Sequence, residues 1–273
     1  MDIRKEMQDA AFFRALAGGE FCVWYQPQVD MRTGSVCGAE ALVRWERPDG
    51  NVVPPGQFIP ALEENGQILR LDREVLRLVC SDLLDARERG IQIAPVSVNL
   101  SRAHMDQDQA ADHVVNMMRS YKICAEELAF ELTESVPHLY SGSSLERLVG
   151  GLREAGIIVS MDDYGTGNST LKILARIGFD CLKLDRYFVS RIGESRAEII
   201  LQSTIRLADM LGMRVVAEGV ETEAQSEFLK ANGCYIAQGY YYFPPLRREE
   251  YFLLASVQKK PHSYQKSTRQ KAK

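Results

Sequence analysis

Glu40, Asn99, Glu131, the pair Asp162-Asp163, Lys183, Glu218 and Gln238 share one placement: each follows or ends an apolar run rich in strand-forming residues. The clearest case is Ile157-Ile158-Val159-Ser160-Met161, which runs into Asp162-Asp163 and then into Tyr164-Gly165-Thr166-Gly167-Asn168. Buried strands that end in acids at a glycine-rich loop commonly hold metal ligands or phosphate-binding groups at the mouth of a site. Five carboxylates and an asparagine brought to one face would repel. Two like charges about 4 Å apart cost roughly 4 kcal/mol at an effective dielectric of 20. Either some stay protonated or cations sit among them. Oxygen donors without His or Cys suit Mg²⁺, Mn²⁺ or Ca²⁺. Adjacent carboxylates such as Asp162 and Asp163 suit two ions about 3.5–4 Å apart, the spacing used for in-line attack on phosphorus.

Each residue alone also has a purely structural reading. Asp162-Asp163 is compatible with a solvated turn. Glu40 is four residues from Arg44 on one strand face and could pair with it. Asn99 could cap a following helix. Glu131 and Glu134 could be surface acids, and Lys183 a satisfied ion-pair partner. Repetition at the same point of the strand–loop rhythm argues against all of these holding together.

The elements that must position these groups alternate. A short helix over Met7 to Ala17 precedes a strand at Phe21 to Pro27, a turn at Asp30 to Gly34 and a second strand at Ser35 to Trp45. So short a link makes that pair antiparallel. Helices are expected over Pro55–Asn65, Leu69–Arg89, Asp108–Tyr121 and Thr170–Ile177, with further helices opened by capping boxes at Ser143–Glu146, Ser195–Glu198 and Thr222–Gln225. In the helix after Ser195, Ile200, Thr204, Leu207, Ala208 and Leu211 form the expected buried stripe. Strands fall at Ile93–Leu100, Leu128–Glu134, Ile157–Asp163, Phe179–Asp185, Met213–Ala217 and Cys234–Ala237. Eight strands with helices between most of them predict an α/β fold, a modified TIM (β/α)₈ barrel with its first strand antiparallel. A doubly wound open sheet is the alternative.

Composition narrows the class. The 273 residues are 45% hydrophobic and 26% charged, with no membrane-length apolar run. The six cysteines and four histidines lack metal-ligand spacing, which argues against zinc and for reduced packing cysteines in a cytoplasmic protein. Lys259, Lys260, Lys266, Arg269, Lys271 and Lys273 stand in a tail without acids, so with an overall net charge of −4 the rest of the chain carries −10. An acidic body argues against DNA binding and calls for metal ions if the substrate is anionic. The expected division is one domain over 1–257 and a basic, disordered tail over 258–273.

The motifs resemble one family in order. Glu40-Ala41-Leu42-Val43-Arg44-Trp45 is similar to the signature of the EAL domain, the bacterial cyclic di-GMP phosphodiesterase module. The likeness runs through Tyr25-Gln26-Pro27, Phe58-Ile59-Pro60, Ser97-Val98-Asn99-Leu100-Ser101, Glu131-Leu132-Thr133-Glu134, Asp162 to Gly167, Lys183-Leu184-Asp185, Ala217 to Glu221 and Gln238-Gly239-Tyr240. It implies hydrolysis of cyclic di-GMP to linear 5′-pGpG with two Mg²⁺ or Mn²⁺ ions, Ca²⁺ being a candidate inhibitor. It also implies a homodimer. A non-catalytic cyclic di-GMP receptor is the alternative. A standalone enzyme and a domain that follows a sensor or GGDEF module both remain open.

By the same resemblance, Glu40, Asn99, Glu131 and Asp162 would hold the first ion. Asp162 and Asp163 would reach the second, with Glu218 ligating directly or through water. Lys183 would hold or deprotonate the attacking water, and Glu221 and Gln238 would line the mouth. Gln26, Leu42, Arg44 and Asp185 fall to the dinucleotide. Glu134 would anchor the Asp162–Asn168 loop that links the metal site to the dimer contact. The chain departs from the pattern at Asn168, where an aromatic residue is usual, and at Phe243-Pro244, which replaces a small residue followed by a basic one.

Overall fold

The computed structural model describes residues 9–107, 109–133, 142–164 and 170–258. After a short helix α1 (Asp9–Ala17), strands β1 (Phe21–Asp30) and β2 (Ser35–Glu46) form a long antiparallel hairpin, with Trp24 opposite Leu42 and Gln26 opposite Glu40. The turn between them closes at Gly34, whose φ of 72° favours a residue without a side chain. Next come β3 (Val52–Val53), α2 (Pro55–Glu64) and α3 (Ile68–Glu88). The chain then alternates through β4 (Val96–Leu100), α4 (Ala110–Ser120), β5 (Leu128–Thr133), α5 (Gly142–Glu154), β6 (Ile158–Tyr164), α6 (Thr170–Arg176) and β7 (Cys181–Leu184). It continues with α7 (Arg186–Val189), α8 (Ser195–Met210), β8 (Arg214–Glu218), α9 (Glu223–Ala231), β9 (Ile236–Gln238), β10 (Leu246–Arg247) and α10 (Arg248–Val257).

Strand pairing follows the circuit β1-β9-β8-β7-β6-β5-β4-β2 and returns through β2–β1, so eight strands close a barrel and β3 and β10 are short additions at its rim. Strand β1 is antiparallel to both neighbours, β2 and β9, whereas β2 and β4 to β9 run parallel. The expected modified barrel is therefore the observed one. The reversal of β1 follows from its short link to β2, since a two-strand hairpin needs no crossover helix.

Side-chain alternation then sorts β1. Val23 and Tyr25 face the surrounding helices: Tyr25 stacks on Tyr251 of α10 with ring centroids 5.0 Å apart and donates to Asp82 of α3 at 2.6 Å. Phe21, Trp45 and Phe58 pack together beneath α1, where Phe12 is fully buried. The opposite face of β1 carries Cys22, Trp24, Gln26 and Gln28 toward the barrel interior. Among the described residues no helix is long and apolar enough to cross a membrane.

Some expectations shift. Residues 91–95 are not strand; the strand begins at Val96, after Pro95, which has no N–H for a ladder. Helix α5 already includes Gly142, so Ser143 lies inside it. On α8 the buried residues are Ala197, Leu201, Thr204, Ile205 and Ala208, while Ile200 and Leu211 are exposed. Glu198 reaches back to the N–H of Gly193 at 2.9 Å, and Ser195 does not cap the helix. The box at Thr222 and Gln225 forms as expected. Met7, Gln8 and the 259–273 tail lie outside the described residues.

Candidate active site

The C-terminal halves of the parallel strands, with the middle of the longer β2, supply a buried polar cluster. Glu40 comes from β2, Asn99 from β4, Glu131 from β5, Asp162 from β6, Lys183 from β7, Glu218 from β8 and Gln238 from β9. Lys183 is 1% exposed and stands among four carboxylates: Nζ lies 2.5 Å from Glu218 Oε1, 3.2 Å from Glu40 Oε2 and 3.4 Å from Asp162 Oδ1, and it also donates to Glu131. Glu40 accepts from Asn99 Nδ2 at 2.9 Å and from Gln238 Nε2 at 2.6 Å. The structural alternatives for Glu40, Asn99 and Glu131 do not form: Glu40 bonds Asn99, Gln238 and Lys183 and not Arg44, the helical turn after β4 has Ser101 and not Asn99 at its cap position, and Glu131 is buried.

The amides continue the network. Gln238 Nε2 also donates to Gln26 Oε1 at 3.1 Å, Gln26 Nε2 donates to the carbonyl of Phe243 at 3.2 Å, and Gln28 Nε2 donates to Gln238 Oε1 at 3.1 Å. Gln28 escaped the motif-based reading. Alternation from Gln26 along β1 is the signal that would have found it.

Charge is unbalanced here. Burial pushes Glu40 up, but Lys183 and the bonds from Gln238 and Asn99 more than offset this and hold it below the ordinary carboxylate value. Burial, and then Glu40, Asp162 and Glu218, push Glu131 well above it. Burial, with Asp162 and Glu40, raises Glu218 from 4.5 to about 8 against the pull of Lys183. Burial lowers Lys183, but the four surrounding carboxylates overcome it and keep the ammonium charged.

Higher on the same wall, Trp24 lies between two guanidinium groups, Arg44 at 5.5 Å and Arg247 at 4.8 Å from its ring. Its indole N–H donates to Glu46 at 3.2 Å, which also accepts from Arg247 at 2.7 Å. Arg44 is half-buried and its guanidinium donates to the carbonyl of Val43 at 2.9 Å. Leu42 and Asn99 line an adjacent cavity of about 220 Å³. A larger cavity of about 550 Å³ between α3 and α4 holds none of the predicted site residues. Asp185 caps α7, accepting from Tyr187 N at 2.7 Å, and Glu221 is exposed, with its N–H given to Gln225 at 2.7 Å. Neither is in the polar cluster. Glu134, the Asp163 side chain and the loop through Asn168 lie outside the described residues.

The donor set fits a hard divalent cation. Four carboxylates surround one lysine, Asn99 bonds one of them, all candidate ligands are oxygens, and the shortage of positive charge raises two of the acids, Glu131 and Glu218. Among the described residues no three acids, histidines or cysteines close on a common point as a formed cage would, and the Lys183 ammonium sits amid the carboxylates.

The profile of the EAL domain matches residues 9–245, and the chain belongs to the EAL domain family. It is 37% identical over 242 residues to the oxygen sensor protein DosP of Escherichia coli, covering 88% of this chain and 30% of that one. It is also 37% identical over 234 residues to the cyclic di-GMP phosphodiesterase NbdA of Pseudomonas aeruginosa, covering 85% and 30%. The chain thus spans less than a third of the length of these two relatives. Among solved structures, the PaMucR phosphodiesterase in its c-di-GMP complex superposes with a TM-score of 0.82 at 32% identity, covering 92% of this chain and 99% of that chain.

Proposed function

We propose that this chain is a divalent-metal-dependent phosphodiesterase that opens cyclic di-GMP to linear 5′-pGpG. The observation that carries the reading is the excess of buried carboxylate around Lys183 at the strand ends, in a chain similar to a named cyclic di-GMP phosphodiesterase. Glu40, Asn99, Glu131 and Asp162 would hold one ion, with Asp162, Asp163 and Glu218 serving a second. When bound, the ions would polarise the scissile phosphate and acidify a water.

The chain's own groups account for the rest. Arg44 can fork onto a phosphate, steadied by Trp24. Gln26 offers an amide donor beside Phe243 and Leu42 offers an apolar contact to a base. Lys183 Nζ, given to the four carboxylates here, would hold or deprotonate the attacking water once the ions take up those oxygens. In the net reaction one water adds to phosphorus, the bond to the 3′ oxygen breaks, and that oxygen leaves with a proton. Asp185 and Glu221 would support the segments that follow Lys183 and Glu218. Glu134 would anchor the Asp162–Asn168 loop, and that loop would couple the site to a second copy in a homodimer, a coupling read by turnover against protein concentration.

The test is incubation with cyclic di-GMP and Mg²⁺ or Mn²⁺. Linear pGpG is expected, and Asp162→Asn abolishes it. Tight binding without turnover under both metals would instead identify a receptor.

A further inference from the structure

Gln238 is the most connected amide of the cluster, and its orientation can be read without ambiguity. Glu40 Oε2 can only accept, so the atom facing it at 2.6 Å is the Gln238 nitrogen. The second N–H of that nitrogen is given to Gln26 Oε1 at 3.1 Å. The oxygen of Gln238 therefore points the other way, and it meets Gln28 Nε2 at 3.1 Å. Gln28 is 3% exposed and lies one step beyond the Val29–Ala237 pair of β1 and β9. Across the hairpin it faces Gly38, which has no side chain to compete for the space.

We infer that Gln28 is a positioning residue of the proposed phosphodiesterase site: its amide pins the Gln238 oxygen, so that both Gln238 N–H groups stay on Glu40 and Gln26. Without that donor, Gln238 keeps two bonds on one end and none on the other. Rotation about its last torsion then costs less, and a rotated amide sets its oxygen against the Glu40 carboxylate and against Gln26 Oε1. Glu40 loses a donor that fixes its lone pairs, and Gln26 loses the bond that turns its own N–H toward the mouth. Partners that hold a ligating side chain from behind act at this level, with losses of about 10- to 100-fold on removal. The role of Gln28 in catalysis rests on the phosphodiesterase reading. The locked amide does not.

The experiment compares Gln28→Met, which keeps length and removes the donor, and Gln28→Glu, which keeps shape and turns the donor into an acceptor. The first readout is the side-chain amide resonance of Gln238 in metal-free protein labelled with ¹⁵N-glutamine, assigned by its loss in Gln238→Met. Both variants are expected to shift it and speed its hydrogen exchange. The second is Mn²⁺ affinity by calorimetry, and the third is turnover of cyclic di-GMP. Roughly tenfold losses in both are expected for Gln28→Met. Placed on the Gln238→Met background, Gln28→Met should have no further effect beyond about twofold. An unmoved Gln238 resonance in folded Gln28→Met overturns the inference, and so does an equal loss on the two backgrounds, which would mark Gln28 as a packing residue. If native protein shows no turnover, the phosphodiesterase reading fails while the resonance still decides the amide lock. Should Gln28→Met not fold, the same readouts on Gln28→Asn, whose shorter amide cannot span the gap, decide it in the same way.

Discussion

Lys183 brings one positive charge into four carboxylates, and the balance of the site turns on that residue. A buried cation of this kind is favourable only because its partners are close. Removing it leaves Glu40, Glu131, Asp162 and Glu218 to repel one another in a poorly hydrated space. Breaking a buried pair from one side costs about 3–5 kcal/mol. Lys183→Met should therefore lower unfolding stability in chelator by about that amount, less whatever protonation of Glu131 and Glu218 relieves. Denaturant titration with EDTA and with Mg²⁺ reads this directly. The deficit should shrink when Mg²⁺ is present, while turnover stays lost because the group assigned to the attacking water is gone. An equal deficit with and without the metal would contradict the view that a cation can take up the same excess charge.

The elements show where one-dimensional reading works and where it stops. Strand ends were legible because burial forces apolar runs, and a polar residue that closes each run stands out. The antiparallel first strand followed from the short link at 31–34 alone. The expected stripe of α8 holds at Thr204 and Ala208 but not at Ile200 and Leu211, because the buried face runs through Ala197, Leu201 and Ile205 and leaves Ile199, Ile200 and Met210 exposed. Alternation puts Gln28 on the same face of β1 as Gln26, but only the pairing of β1 with β9 brings Gln238 within its reach. Gly239 is a position where an element constrains the site. A Cβ there would fall 2.1 Å from the carbonyl oxygen and 2.3 Å from the nitrogen of Val220, in the loop after Glu218. Those are backbone atoms held by the Val220 N–H to Gln238 and Tyr241 N–H to Val220 bonds, so neither can yield cheaply. Gly239→Ala should therefore cost about 1–3 kcal/mol or more and cut turnover by displacing Gln238 and Glu218 together. Thr222→Ala, four residues beyond Glu218 at the cap of α9, should cost about 1 kcal/mol and leave turnover close to native. Thermal melts and kinetics on both variants separate a distorted site from a merely weakened helix.

At the scale of the molecule, barrel closure sets acids from four strands beside one lysine, and the result is a site that stores protons when no metal is supplied. Glu218 titrates near 8 in the folded chain and near 4.5 as an unperturbed carboxyl. Between those values the folded chain holds a proton that the unfolded chain has released, so stability in EDTA should fall as pH rises from about 4.5 to about 8. Glu131, raised for the same reasons, adds to the slope in the same direction. Glu40 is shifted the other way, and its effect is confined to acid pH. Lys183 stays charged throughout the window. A divalent ion competes with those protons for the same oxygens. Its affinity should therefore rise with pH up to about 8, with protons released on binding, and free ion at 100 times its Kd should stabilise the fold by about 2.7 kcal/mol. Calorimetry in two buffers of different ionisation enthalpy measures the proton release, and melts at pH 5, 6.5 and 8 with EDTA or Mn²⁺ measure the linkage. In Glu218→Gln both the EDTA slope and the proton release should decrease. If Glu218→Gln keeps the native slope, the stored proton resides elsewhere, and the excess negative charge assigned to these strand ends is not what draws the cation.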